Sequence, residues 1–304
     1  MHKYLLLFAL GALLFSASSA QKNDTKSLQQ QIRDSLSLQP GSYAVAFKDL
    51  QTGKTLYINE HEIFHAASTM KTPVMIEAYK QVAAGKFSLA DSIEIINNFK
   101  SIADSSHFSV SATDDSEPEL YKHTGEKTTL YKLLYQMIIY SSNFATNIVI
   151  EKLGAANVTA TMRSMGANDI QVLRGVEDSK AFDKGMNNVV SAYDLALLFE
   201  KMAMGKTVSP DASEAMIKIL LDQQFNTIIP ARLPRGVKVA HKTGSIIGIH
   251  HDSGIVFLPD GRKYVLVLLS KNFTDENAAV AAMANVSGMI YNYISAVKSK
   301  KLSR

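Results

Sequence analysis

The chain has 304 residues, with 32 Lys+Arg against 28 Asp+Glu for a formal net charge of +4, and it contains no cysteine. The absence of cysteine excludes disulfides and thiolate metal sites, so stability must come from packing. A balance so near neutral argues against nucleic-acid binding, and the length suits one large domain or two closely packed subdomains.

Met1-His2-Lys3 precedes an apolar run over residues 4–15 and then small residues, with Ser18 and Ala20 placed for cleavage after Ala20. This reads as a secretory leader over residues 1–20, since the run is short for a bilayer span. No cysteine lies near the cleavage point, which excludes a cysteine-linked lipid anchor. The expectation is an exported chain of residues 21–304, periplasmic or secreted, with no stable membrane insertion after cleavage.

Residues 23–38 read as a polar helix ended by Pro40-Gly41. Residues 42–48 alternate and are rich in Val, Tyr and Phe, and residues 54–59 supply a partner strand across the turn Leu50-Gln51-Thr52-Gly53. A helix is expected over 68–84, capped by Gly85. Pro73 is tolerated only in the first turn or so, which places the helix start near Ser68, where backbone N–H groups and the dipole favour negative charge. Ser68 and Lys71 are three residues apart and share a helix face, with Cβ atoms about 5–6 Å apart. A lysine held beside a hydroxyl and partly out of water has a lowered pKa and can take the hydroxyl proton. Alone, Ser68-Thr69-Met70-Lys71 is no more than a surface serine followed by a solvated lysine.

Residues 105–123 are polar and acidic, with Asp114, Asp115, Glu117 and Pro118. They form either a loop at a site entrance or a surface excursion. Leu130, Leu133, Leu134, Met137 and Ile138 fall at helical spacing and predict a buried stripe. Ser141-Ser142-Asn143 follows, and residues 143–153 read as a short helix closed by Gly154; serine and asparagine there also suit an ordinary helix start. Ser191 and Asp194 read as a capping box for a helix over 192–204, whose stripe is Leu195, Leu198, Phe199 and Met202. Residues 210–221 form one more helix.

Strands return at 237–242, ended by Lys242-Thr243-Gly244-Ser245, which alone is a strand end with a glycine turn. Residues 254–258 and 263–270 flank the hairpin turn Pro259-Asp260-Gly261-Arg262. A long helix over 275–297 follows, and the basic residues 298–304 read as a frayed, solvated end. Neighbouring strand residues such as His250 and His251 point to opposite faces, and no metal site is expected. Strands at both ends with helices between them predict an α/β fold: an antiparallel sheet built from N- and C-terminal segments, flanked by helices, with an inserted all-α subdomain.

The three segments S-x-x-K (Ser68, Lys71), S-x-N (Ser141, Asn143) and K-T-G (Lys242, Thr243, Gly244) occur in this order at domain-scale separations. Together they resemble the motif set of class A β-lactamases and their penicillin-recognising relatives, over about Gly41 to the C-terminus. The resemblance implies a serine β-lactamase/DD-peptidase-like catalytic domain over 21–304, with an α/β part over 21–63 and 222–304, a helical part over 64–221, and the site at their junction.

Acyl transfer through serine needs a nucleophile, a base, an oxyanion hole and a proton for the leaving amine. Ser68 supplies the hydroxyl and Lys71 the nearest base. Lys242 adds a second positive charge, expected to lower the Lys71 pKa by repulsion and to attract an anionic substrate. Ser141 is the proton shuttle, and Asn143 binds the substrate amide and fixes Lys71. By resemblance, the backbone N–H groups of Ser68 and Ser245 form the oxyanion hole, and the hydroxyls of Thr243 and Ser245 bind a carboxylate. A turn at Gly244 is expected to let the backbone approach the ligand.

The family's water-activating glutamate lies in an E-x-x-L-N pattern shortly after an arginine. Here Arg174-Gly175-Val176-Glu177-Asp178-Ser179-Lys180-Ala181 places Glu177 one residue late, with Asp178 as an alternative. Lys180-Ala181 stands where Leu-Asn belongs, and Asn187 and Asn188 are the available substitutes. Glu177 reads equally as a loop carboxylate paired with Arg174. His250 or His251 occupies the neighbourhood where many relatives carry a carboxylate-binding arginine, or else packs beside Asp252. The resemblance implies a serine hydrolase acylated at Ser68 that opens the lactam of β-lactam antibiotics. The alternatives are a D-alanyl-D-alanine peptidase or esterase with slow deacylation, and a non-catalytic lactam- or cell-wall-peptide-binding module. The last predicts a broken serine or lysine, and neither is broken. The expected partner is a small-molecule β-lactam or cell-wall peptide, bound by a monomer without cofactor.

Overall fold

The computed structural model describes residues 25–296. The expected leader and the basic tail lie outside them. Among the described residues no helix is long and apolar enough to cross a membrane.

A five-stranded antiparallel sheet forms the frame, in the order β2 (Thr55–Ile58), β1 (Ser42–Asp49), β11 (Lys263–Lys271), β10 (Ile249–Phe257) and β9 (Lys238–Ile246). The sheet thus joins the two ends of the chain, as expected. Both of its faces are covered. Tyr43, Val45 and Phe47 of β1 and Tyr264, Leu266 and Leu268 of β11 face one apolar cluster, shared with α1 (Thr25–Ser37) and α9 (Glu276–Ala296). Their alternates Ala44, Ala46, Val265, Val267 and Leu269 face a second cluster, shared with the helical part. Burial on two faces explains why β11 is apolar almost without a break rather than alternating.

The second cluster is built around α2 (Lys71–Ala83), where Val74, Met75, Ile76 and Ala78 are fully buried. A helix enclosed on all sides has little amphipathic character. Around it pack α3 (Leu130–Ile139), α4 (Asn143–Leu153), α5 (Ala155–Ser164) and α8 (Pro210–Leu221). The α3 stripe is buried throughout, as its spacing predicted.

Several expectations are corrected. The helix does not begin at Ser68: a 3-10 turn, Ala67–Met70, precedes α2, so Pro73 falls in the first α-helical turn. Residues 242–246 continue β9 instead of ending it. Ser191 does cap α7 (Ala192–Ala203), but the Asp194 carboxylate accepts from the Asp169 and Ile170 amides, so the capping box is only half formed. Unforeseen elements are α5, α6 (Ser179–Asp183), and the short pairs β3 (Phe64–His65) with β8 (Val189–Val190), β4 (Ser92–Glu94) with β7 (Lys127–Thr129), and β5 (Phe99–Lys100) with β6 (His107–Phe108). These pairs have two or three residues per strand, too few for a periodic signal.

Gly254 lies opposite His241 in the β9–β10 pairing. A Cβ there would sit 2.4 Å from the Ala240 carbonyl oxygen and 2.5 Å from the His241 Cβ. Gly254→Ala is therefore expected to cost about 3 kcal/mol through overpacking, read as a lower urea midpoint with unchanged slope.

Candidate active site

Two buried lysines meet at one hydroxyl. Lys71 Nζ, from the first turn of α2, donates to the Ser141 carbonyl oxygen (2.5 Å), the Asn143 Oδ1 (2.9 Å) and the Ser141 Oγ (3.3 Å). Lys242 Nζ, from β9, donates to the same Ser141 Oγ (3.0 Å) and to the Thr243 carbonyl oxygen (2.8 Å). Both lysines are fully buried. With both lone pairs of the Ser141 oxygen facing lysines, its own proton is free to point elsewhere. Burial pushes the Lys71 pKa down to about 7, with Asp115 and Glu177 pulling it partly back. Lys242 lies well below its ordinary value, first through burial and then through the charge of Lys71, with Asp252 opposing. Desolvation, rather than repulsion from Lys242, is therefore the main reason that the Lys71 pKa is lowered.

The turn between α3 and α4 assigns different tasks to adjacent residues. Ser142 caps α4, its side chain accepting from the Ala145 amide, while Ser141 and Asn143 on either side reach the lysines. The helix-start reading of this segment holds for Ser142, while Ser141 and Asn143 are hydrogen-bonded to the lysines. Ser141 has a left-handed backbone (φ +61°). Its turn is held by Asp115, a buried residue that the sequence reading left in an undecided acidic loop. Asp115 Oδ2 accepts from the Asn143 and Phe144 amides (2.9 Å each), the Tyr121 hydroxyl (2.9 Å) and the Ser142 hydroxyl (3.2 Å).

Ser68 lines two adjoining cavities of about 550 and 400 Å³. Ser245, Asn143 and Asp114 line both, so residues 105–123 do reach the site entrance. Glu177, Val176, Phe182 and Ile246 border the larger cavity; Ser141, Thr243, Gly244 and His250 border the smaller. Gly244 is in extended strand, and no turn occurs there. It is required for a different reason: a Cβ would lie 3.0 Å from the Thr69 amide nitrogen and 3.1 Å from that of Ser68. The strand edge and the serine turn are in direct backbone contact.

Glu177 and Asp178 both line the larger cavity, but the Asp178 carboxylate is taken up by the Ser101 hydroxyl and the Ile102 and Ala181 amides. Glu177 Oε1 accepts from Asn143 Nδ2 at 2.6 Å. Crowding by the cleft walls raises the Glu177 pKa, against the bonds from Asn143 and the Ser111 amide. Arg174 is not paired with Glu177; its guanidinium donates to the Met186 and Gly175 carbonyls and to Asn187 Oδ1. Asp178 is buried and caps α6. Asn188 lines the larger cavity, but its amide bonds the Leu173 and Arg174 backbone. Asn147, one turn beyond Asn143, grips the loop through the Val176 N–H (2.7 Å) and carbonyl (3.0 Å). Sequence reasoning missed it, although its i+4 spacing from Asn143 was a usable signal.

The sequence profile of the beta-lactamase enzyme family matches residues 27–294. The chain belongs to this family. It is accordingly an enzyme of the acyl-serine hydrolase type. Among curated β-lactamases, ROB-1 of Haemophilus influenzae is 24% identical over 267 residues, covering 86% of this chain and 82% of that protein. The extended-spectrum β-lactamase PER-1 of Pseudomonas aeruginosa is 27% identical over 265 residues, covering 82% and 80%. Among solved structures, PBP-A is 28% identical with a TM-score of 0.76, covering 89% of this chain and 97% of that one. A PBP-A mutant captured as an acyl-enzyme with penicillin G matches at the same identity and TM-score.

The two strand histidines both line the smaller cavity and differ in burial and partners. His250 borders the smaller cavity, stacks on Phe273 and pairs with Glu276 (2.9 Å). His251 is buried, and its Nε2–H donates to the His65 carbonyl (3.0 Å). Neither packs on Asp252 as a partner; that carboxylate takes the buried His241 (2.8 Å) and the Ile229 amide. His251 braces the chain just before Ala67, a left-handed residue (φ +44°) that precedes the serine.

Two outcomes follow from these bonds. Asp115→Ala strands five buried or half-buried donors, the Glu117 amide among them, and is expected to cost about 3 kcal/mol of stability, with turnover falling more than about tenfold as Ser141 shifts. Burial lowers the His251 pKa from 6.5 to about 4, so the folded state resists its protonation. Its stabilisation is complete above about pH 6.5 and declines as pH falls toward 4, by about 3 kcal/mol in all. Urea midpoints between pH 7 and 4.5 should show the decline, and His251→Gln, which retains a donor, should flatten it.

Proposed function

We propose that the chain is a class A-like β-lactamase, exported by a leader over residues 1–20 and acting as one catalytic unit over residues 21–304. The observation that carries this reading is the convergence of Lys71 and Lys242 on the Ser141 hydroxyl, beside a serine whose cleft also holds Glu177.

In the ammonium form, all three Lys71 N–H bonds have partners, none of them Ser68. The lysine must first lose a proton, which a pKa of about 7 allows at neutral pH. The neutral amine then takes the Ser68 proton as Oγ attacks the lactam carbonyl carbon. The Ser68 and Ser245 amides receive the developing oxyanion, a contribution of about 3–4 kcal/mol per donor. As the carbon–nitrogen bond breaks, Ser141 gives its proton to the nitrogen and regains one from a lysine. Thr243 and Ser245, next to the Lys242 charge, receive the substrate carboxylate. Water then gives a proton to Glu177, hydroxide attacks the ester, and Ser68 leaves with a proton restored from Glu177 or Lys71.

One observation favours slower release of the acyl group. Asn188, the asparagine of this loop that lines the cavity with Glu177, is committed to the Leu173 and Arg174 backbone and does not hold the water. The likeness to PBP-A, a mutant of which is solved as an acyl-enzyme with penicillin G, fits this second reading of a peptidase or esterase with slow deacylation.

A chromogenic cephalosporin followed by absorbance and intact mass separates the two. Steady turnover supports the lactamase; a stoichiometric adduct on Ser68 that persists for minutes supports the second reading. Ser68→Ala should abolish both signals, and retained turnover would remove the mechanism. Glu177→Gln should keep acylation and accumulate the adduct. The acylation rate should rise with pH through about 7, as Lys71 becomes neutral.

A further inference from the structure

Glu177 has a left-handed backbone (φ +61°), a conformation that persists only where both flanks are held. The upstream flank is held by the rigid helix α4 through Asn147. The downstream flank is held by something quite different, the tip of the short β5–β6 hairpin. Asp178 directly follows Glu177. Its carboxylate accepts from the Ser101 hydroxyl (2.7 Å) and the Ile102 amide (2.9 Å) as well as from its own helix at Ala181 (3.1 Å). Two residues on, Lys180 Nζ reaches Asp104 Oδ2 and the Ser106 hydroxyl, both at 2.8 Å. Lys184 Nζ reaches the Ala103 carbonyl at 3.2 Å. The hairpin tip is closed on itself by the Ser101 amide to the Ser106 carbonyl (2.8 Å), and it is rooted in the core by Phe99 against Phe144.

We propose that residues 101–106 form a clasp that positions Glu177, with Asp178 and Lys180 as positioning residues, so that the clasp sets the lifetime of the acyl-enzyme and leaves its formation alone. The groups that form the ester rest on the Ala67–Met70 turn (Ser68), α2 (Lys71), the Asp115-held turn (Ser141) and β9 (Lys242), with which residues 101–106 share no hydrogen bond. Only the carboxylate that removes the acyl group depends on it. This rests on the proposed role of Glu177 as the base for water.

The test uses the full chain with penicillin G, measuring adduct formation and adduct decay separately by quenched-flow mass spectrometry. Asp178→Asn should slow decay at least about tenfold and change formation less than about twofold. Lys180→Ala removes an exposed ion pair that the fold can spare and should slow decay roughly threefold. The exchanged pair Asp104→Lys with Lys180→Asp should restore decay to the parental rate. Glu177→Gln is the reference, and adding Asp178→Asn to it should slow decay no further. If Glu177→Gln decays at the parental rate, the base assignment fails and the clasp with it. If Glu177→Gln is slow while Lys180→Ala is unaffected, or while Asp178→Asn slows formation and decay equally, the clasp alone is overturned.

Discussion

The Ser141 hydroxyl, receiving two fully buried lysine side chains from opposite walls, is the contact on which the rest of this protein depends. Two ammonium groups sharing one oxygen cannot both keep their charge cheaply out of water. The fold supplies acceptors for them in the Ser141 and Thr243 carbonyls and Asn143 Oδ1, and electrostatic relief from Asp115 and Asp252. What results is a lysine near neutrality at physiological pH, produced by exclusion of water rather than by an adjacent acid or base.

Such a contact tolerates little movement, and the surroundings are arranged accordingly. Lys71 starts a helix enclosed on every side. Lys242 lies on a sheet strand whose next glycine touches the backbone of the serine turn, so the strand edge and the nucleophile are fixed relative to each other by van der Waals contact. Asp115 holds the third wall by gathering the amides at the start of α4. Glu177 is supported by a helix on one side and by a surface hairpin on the other. In the proposed mechanism, making the acyl-enzyme therefore rests on core elements and removing it on a surface hairpin.

Where a signal was local, the sequence was readable. The α3 stripe, the β1–β2 hairpin and the Ser191 cap each depend on residues within one or two turns of one another. The three motif segments were recognisable because each keeps its residue types at fixed spacing. The failures were equally physical. Lys242 was expected to depress Lys71 by its charge, but burial dominates, and burial is not a property of a residue type. Asp115 sits in a polar stretch that looks like solvated surface, because its partners in the turn beside the lysines lie 27 to 29 residues further along the chain. Asp178 and Glu177 were exchangeable on paper; only their backbone directions separate a structural cap from a carboxylate facing the cleft.

By itself the sequence determined most of the long elements, the family and the residue types able to relay protons around an acyl-serine, because periodicity, capping and short motifs are encoded within a few residues. The tertiary structure alone decided which of those groups are dry, which share a hydrogen bond and which carboxylate enters the cleft. Desolvation and hydrogen bonding act through space, and they set the charge state of a lysine only after distant segments have closed around it.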